Sequence, residues 1–124
     1  MTAPKILKTP EDRRIAYHQI EASELGKSLP GIVFLGGFKS DMDGTKALYL
    51  QEWAQKTGRA FLRFDYSGHG QSSGDFLDGC IGDWAQDAMD VLSELTDGPQ
   101  ILVGSSMGGW IALLVARTMS ERVA

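Results

Sequence analysis

The sequence predicts an α/β fold: a two-strand hairpin followed by βαβαβα, with a mainly parallel sheet and helices on both faces. Three observations carry the prediction. The runs at 32–35, 60–64 and 101–103 are apolar and unbroken, as strands covered on both faces are. Segments with apolar residues at helical spacing lie between them. The strict strand–helix alternation implies right-handed crossovers and parallel pairing.

The elements follow in order. Residues 5–9 and Arg14–Ile20 read as strands joined by the turn Pro10-Glu11-Asp12-Arg13. In the second strand Ile15 and Tyr17 alternate with Arg14, Ala16 and His18, as in a half-buried strand. Residues 24–30 form a polar loop, and 32–35 the third strand. Thr45–Thr57 reads as a helix, with Ala47, Leu48, Leu50, Trp53 and Ala54 near one face and Gly58 at its end. Residues 60–64 are the fourth strand and 75–79 a turn. Ile81–Leu95 is a second helix, with Trp84, Ala88, Val91, Leu92 and Leu95 on one stripe, ended by Asp97-Gly98-Pro99. The fifth strand, 101–103, leads into a helix over 109–119 that is apolar nearly all round and therefore expected to be buried.

Composition bounds the function. The chain has 124 residues, 43% hydrophobic and 23% charged, with net charge −4. That is one ordinary globular unit with no basic run, so neither nucleic acid nor an anionic membrane is an expected partner. The single cysteine, Cys80, excludes an internal disulfide and fits a reducing compartment. It stands at a helix start with no histidine nearby in sequence, which does not suit a nucleophile. With no apolar leader segment, a cytoplasmic location is the default expectation.

The chemistry is concentrated in Gly104-Ser105-Ser106-Met107-Gly108. Gly-x-Ser-x-Gly alone is a weak signal. Here it lies between a buried strand and an apolar helix, the context of a nucleophile elbow centred on Ser106. A serine hydroxyl attacks only when held exposed beside a base and an anion-stabilising pocket. The glycines at 104 and 108 let strand and helix approach. A second strand also ends in glycines, at Gly36-Gly37-Phe38. Its backbone N–H at Phe38, with that of Met107, is the expected oxyanion hole. Gly37, Met42 and Trp110 are the expected substrate contacts.

Three further patterns compete. His69 and His18 are the only histidines. His69 is read as a turn residue rather than a base, and His18 as a strand-surface residue. Gly68-His69-Gly70-Gln71-Ser72-Ser73-Gly74 half-matches a dinucleotide fingerprint, but no helix follows directly. Asp83, Asp87 and Asp90 have spacing that suits a metal pair, and are read as a solvated helix face.

Asp65, Gly68, Gly70 and Ser72 form Asp-x-x-Gly-x-Gly-x-Ser after the fourth strand. With the Gly-Gly-Phe loop before it and the elbow after it, the chain resembles the α/β-hydrolase superfamily. The stretches from Phe34 to Ala47 and from Gly104 to Trp110 resemble its mitochondrial acyl-protein thioesterase and acyl-glucuronide esterase branch, including bacterial relatives. The resemblance implies a serine hydrolase that cleaves a small-molecule ester or thioester through an acyl-enzyme, without cofactor or metal. It also implies that residues 1–124 are the N-terminal portion of one such domain, with the acid, the histidine and the lid beyond them. On that reading 101–103 is an apolar sheet edge that invites pairing with another chain. Two alternatives stay open: an incompetent fragment or pseudo-enzyme acting as an interaction module, and nucleotide binding at 68–74.

Overall fold

The computed structural model describes residues 3–124. Strands β1 (Lys5–Lys8), β2 (Arg14–Ile20), β3 (Gly31–Leu35), β4 (Phe61–Phe64) and β5 (Gln100–Gly104) form one sheet in the order β1-β2-β4-β3-β5. Helix α1 (Thr45–Thr57) joins β3 to β4, and α2 (Ile81–Leu95) joins β4 to β5. Helix α3 (Met107–Thr118) follows β5. The sheet is mixed. β1 and β2 form the expected hairpin, and β2 runs antiparallel to β4. β3 is parallel to both β4 and β5.

The hairpin turn is built by Thr9, whose N–H donates to Arg13 O at 2.8 Å and whose Oγ1 accepts from Arg13 N–H at 3.0 Å. Helix α1 ends at Gly58, whose φ of 76° lets its N–H reach back into the last turn. At the start of α2, Asp83 accepts from the Cys80 N–H at 3.1 Å, closing a capping box.

Alternation along β3 divides the core. Val33 and Leu35 pack with Leu62, Phe64 and the α2 and α3 residues Ala88, Val91, Leu92, Ile111 and Val115 on one face. Ile32 and Phe34 pack with Phe61 and the α1 residues Ala47 and Ala54 on the other. Full burial of such an aliphatic or aromatic side chain contributes about 1.5–3 kcal/mol. From β3 the chain passes to β4 on one side. From β5 it passes to the other, where Val123 pairs with Gln100 in parallel and Ala124 N–H donates to Gln100 O at 2.8 Å. The carboxyl ends of β3 and β5 therefore flank a topological switch point, where open α/β sheets place their ligand crevice.

Two expectations are corrected. Residues 101–103 are only half-buried, and Trp110 and Leu113 are exposed, so α3 is not covered all round. β5 borders the sheet, and past Gln100 its outer edge has no partner strand among the described residues. The aspartates of α2 are not one solvated face either: Asp83 is exposed, but Asp87 and Asp90 are not. Asp87 is fully buried; its carboxylate accepts both the N–H and the O–H of Ser67 at 2.7 Å and pairs with Arg13. Burial pushes this carboxyl above the usual range, opposed by the Ser67 bonds and Arg13. Asp90 bonds Arg13 at 2.7 Å. Asp87 and Asp90 thus share Arg13, while Asp83 caps the helix start.

Candidate active site

A tight turn joins β5 to α3. β5 ends at Gly104, and α3 begins at Met107 with Ser106 in the N-cap position. Ser106 is held at φ 57°, ψ −119°, a region costly for a residue with a Cβ, by about 1–3 kcal/mol. The surrounding bonds hold it there. Ser105 N–H donates to Leu35 O at 3.0 Å, and the N–H groups of Gly108 and Gly109 donate to Ser105 O and Ser106 O, each at 2.9 Å. A Cβ on Gly104 would fall on the Gly108 carbonyl, and a Cβ on Gly108 on the Leu35 carbonyl. The packing therefore admits only glycine at both positions. The conformation leaves Ser106 exposed. Ser105 is half-buried and accepts from the Lys46 ammonium at 3.3 Å.

Beside the elbow runs the loop after β3. A Cβ built on Gly37 would lie 3.6 Å from Ser106 Cβ and 3.4 Å from Ser105 O, so this backbone borders the serine directly. Ser40 N–H closes a turn onto Gly37 O at 3.1 Å, with Lys39 at φ 57°. The N–H groups of Phe38 and Met107 have no acceptor among the described residues. The Phe38 ring is 57% exposed and meets Phe76 and Trp84 edge to face, at 5.0 and 5.9 Å.

The Asp-x-x-Gly-x-Gly-x-Ser loop lies behind this turn. Asp65 accepts from Met42 N–H at 2.7 Å and Gln71 N–H at 2.9 Å. Burial raises its carboxyl above the usual range; the two N–H bonds oppose that, and Asp41 and Asp43 add to it. A Cβ on Gly70 would meet that carboxylate. Ser72 donates to Asp65 O at 2.7 Å and accepts from Ala16 N–H at 2.9 Å, joining the loop to β2. Tyr66 O–H donates to Gly36 O at 2.9 Å; burial pushes this phenol well up, so it stays a donor.

Two open cavities flank the elbow. One, of 310 Å³, is lined by Gly36, Gly37, Ser40, Asp41, Lys46 and Ser105. The other, of 590 Å³, is more apolar and is lined by Phe34, Tyr49, Leu50, Val103, Ser105 and Ser106. The structure thus brings Gly37, Phe38, Ser106 and Met107 together. It corrects the expectation for Met42, which is 2% exposed and lines neither cavity. Its backbone is drawn inward by Asp65 and by Arg63, which donates to Met42 O at 3.0 Å. Trp110 is 56% exposed and also lines neither.

Neither histidine bonds Ser106. His69 is 4% exposed; its Nε2 accepts from Lys39 N–H at 3.1 Å and its Nδ1 faces Ser67 O at 3.1 Å. His18 lies on β2 beside Arg63, and burial with that guanidinium lowers its pKa. The loop at 68–74 is not followed by a helix of useful length, because only a 3₁₀ turn at Phe76–Asp78 precedes α2, and Gly68 N–H is spent on Ser73 O at 2.7 Å. The contacts of Tyr66, His69 and Lys46 were not foreseen from sequence; only the motif spacing around Asp65 hinted at the first two.

The chain is similar to known proteins. Rat mitochondrial palmitoyl-protein thioesterase ABHD10 is 43% identical over 122 residues, covering 98% of this chain and 39% of its own length. The human protein of the same name is also 43% identical, with 38% of its length covered. The chain thus spans well under half of these curated relatives. The structure of alpha/beta hydrolase domain-containing protein 10 from mouse superimposes with a TM-score of 0.90 at 38% identity, over 98% of this chain and 47% of that one. A protein from Agrobacterium vitis described as a hydrolase gives 0.83 at 41% identity, over 99% and 46%. The mitochondrial relatives overturn the cytoplasmic expectation. A lone cysteine is equally at home in either compartment, so composition could not decide it. The pattern of the alpha/beta hydrolase family matches residues 32–124, from β3 through the elbow and α3, and the chain belongs to that family.

Proposed function

We propose that this chain carries the nucleophile and oxyanion-binding half of a serine hydrolase acting on a carboxylic ester or thioester. The observation that carries the reading is Ser106 itself, exposed at φ 57° beside the Gly37 backbone, with two unpartnered N–H groups, Phe38 and Met107, on its flanks. Ser106 Oγ attacks the acyl carbon. The negative charge that develops on the carbonyl oxygen is met by those N–H groups, each contributing about 3 kcal/mol to the transition state. The alcohol or thiol leaves, and water releases the acid from the acyl-enzyme.

The base and the acid that orients it come from a segment outside residues 1–124. In support, both ring nitrogens of His69 are committed, and His18 lies in a different cavity. The relatives named as palmitoyl-protein thioesterases favour a long acyl thioester. The 590 Å³ cavity, with Phe34, Leu50 and Val103 along it, suits an acyl chain. Rapid quenching of a long-chain acyl thioester with the protein that joins residues 1–124 to its base-bearing segment, followed by peptide mass spectrometry, tests this. An acyl group on the Ser106 peptide is expected. Turnover with no acyl adduct at Ser106 would reject the reading. No turnover at all would favour the interaction-module alternative.

A further inference from the structure

The loop 65–72 takes no part in that chemistry, yet it grips the loop after β3 at three points. Tyr66 O–H bonds Gly36 O at 2.9 Å, His69 Nε2 accepts from Lys39 N–H at 3.1 Å, and Asp65 accepts from Met42 N–H at 2.7 Å. The middle contact is the informative one. Residues 37–40 form a turn closed by Ser40 N–H to Gly37 O at 3.1 Å. Phe38 has negative φ and Lys39 has φ 57°, which makes it a type II turn. Position three of such a turn favours glycine, and lysine there is disfavoured. The common alternative, type I, differs by a flip of the peptide between Phe38 and Lys39. The flip would turn the Lys39 N–H away from His69 and aim the Phe38 carbonyl oxygen at the Nε2 lone pair.

We propose that His69 is a positioning residue for the oxyanion hole: its Nε2 holds the Lys39 N–H and so anchors the turn that carries Phe38, next to the Gly37 backbone that borders Ser106. The proposal rests on the reading of Phe38 as an oxyanion donor. The ring is prepared for the task. Because Nε2 accepts, the proton is on Nδ1, where it donates to Ser67 O at 3.1 Å. Phe76 and Trp84 meet the imidazole edge to face at 5.2 and 5.0 Å, and the same two rings pack on Phe38. One aromatic cluster therefore fixes both the acceptor and the side chain of the donor residue. The cluster is 4% exposed at His69, so water cannot readily replace the acceptor.

The test compares His69→Phe with His69→Gln in the active protein that contains the chain. Glutamine places an amide oxygen near the site of Nε2; phenylalanine keeps the packing and removes the acceptor. His69→Phe should lower kcat roughly 10²-fold with KM within about twofold, because only the transition state needs the aligned donor. His69→Gln should recover most of the loss. Equal kcat in the parent and His69→Phe, or no recovery with glutamine, overturns the proposal. Should His69→Phe fail to fold, NMR on the unaltered chain decides: a scalar coupling across the bond from Lys39 N–H to His69 Nε2 supports it, and its absence overturns it. Ser106→Ala separates this from the larger reading. Retained turnover there would sink the serine assignment while the coupling at His69 persists.

Discussion

Ser105 N–H donates to the carbonyl of Leu35 at 3.0 Å, so the turn that holds Ser106 is anchored on β3, the strand that leads into the Gly37–Phe38 loop. Gly108 lies against the same carbonyl, and a Cβ there would collide with it. The spacing between the Ser106 turn and the Gly37–Phe38 loop is thus set by backbone contact. Gly108→Ala should push α3 away from β3, destabilising the chain by about 1–3 kcal/mol. Urea unfolding checks this. A midpoint equal to the parent's would show that the contact has slack.

Gly37 differs from Gly108. Its nearest would-be Cβ neighbours lie at 3.4 Å and beyond, and its φ is not positive. Gly37→Val should therefore fold with little loss, yet put methyls beside Ser106 and turn the Phe38 N–H aside. The expected loss is about 10²–10³ in kcat. Steady-state kinetics beside a thermal melt would show it; an unchanged kcat would place the oxyanion hole elsewhere.

Much of this was legible in the chain. The helices at Thr45–Thr57 and Ile81–Leu95 have the ends the sequence signals, because Gly58 and the Cys80–Asp83 box are local devices. Helix α3 starts at Met107, two residues before the Gly109 that the apolar pattern marks, because the tight turn places Ser106 at the cap. The tight turn at Ser106 was readable from the glycines at 104 and 108, since close approach demands glycine there. Met42, Asp87 and His69 were not. Their roles depend on partners far along the chain, Asp65, Arg13 and Lys39, and a polar residue in a helix or loop gives no local sign of such a partner.

Asp87 predicts a pH dependence. Burial makes its carboxyl bind a proton more tightly in the folded chain than an ordinary aspartate does. The native state then holds more protons than the unfolded state, so its contribution to stability is complete below the ordinary carboxylate value and falls as pH rises through the raised pKa. In Asp87→Asn this dependence disappears. The stability of the parent minus that of Asp87→Asn should shrink as pH rises above about 4, the ordinary carboxylate value. Urea titrations at several pH values measure it, and a difference that grows would contradict the assignment.

The 124-residue chain on its own should associate. The outer edge of β5 lacks a partner beyond Gln100 among the described residues, while Leu113 at 72% and Trp110 at 56% exposure lie on α3 beside it. Sedimentation velocity should show dimers or larger species at micromolar concentration. A single monomeric boundary would mean that the edge protects itself.

The central claim is that Ser106 is the nucleophile. A fluorophosphonate probe applied to the protein containing these residues and its base-bearing segment, with the modified peptide sequenced by mass spectrometry, tests it most directly. Labelling at Ser106, lost together with turnover in a folded Ser106→Ala variant, is the predicted result. Labelling at Ser105, or turnover that survives Ser106→Ala, would contradict it.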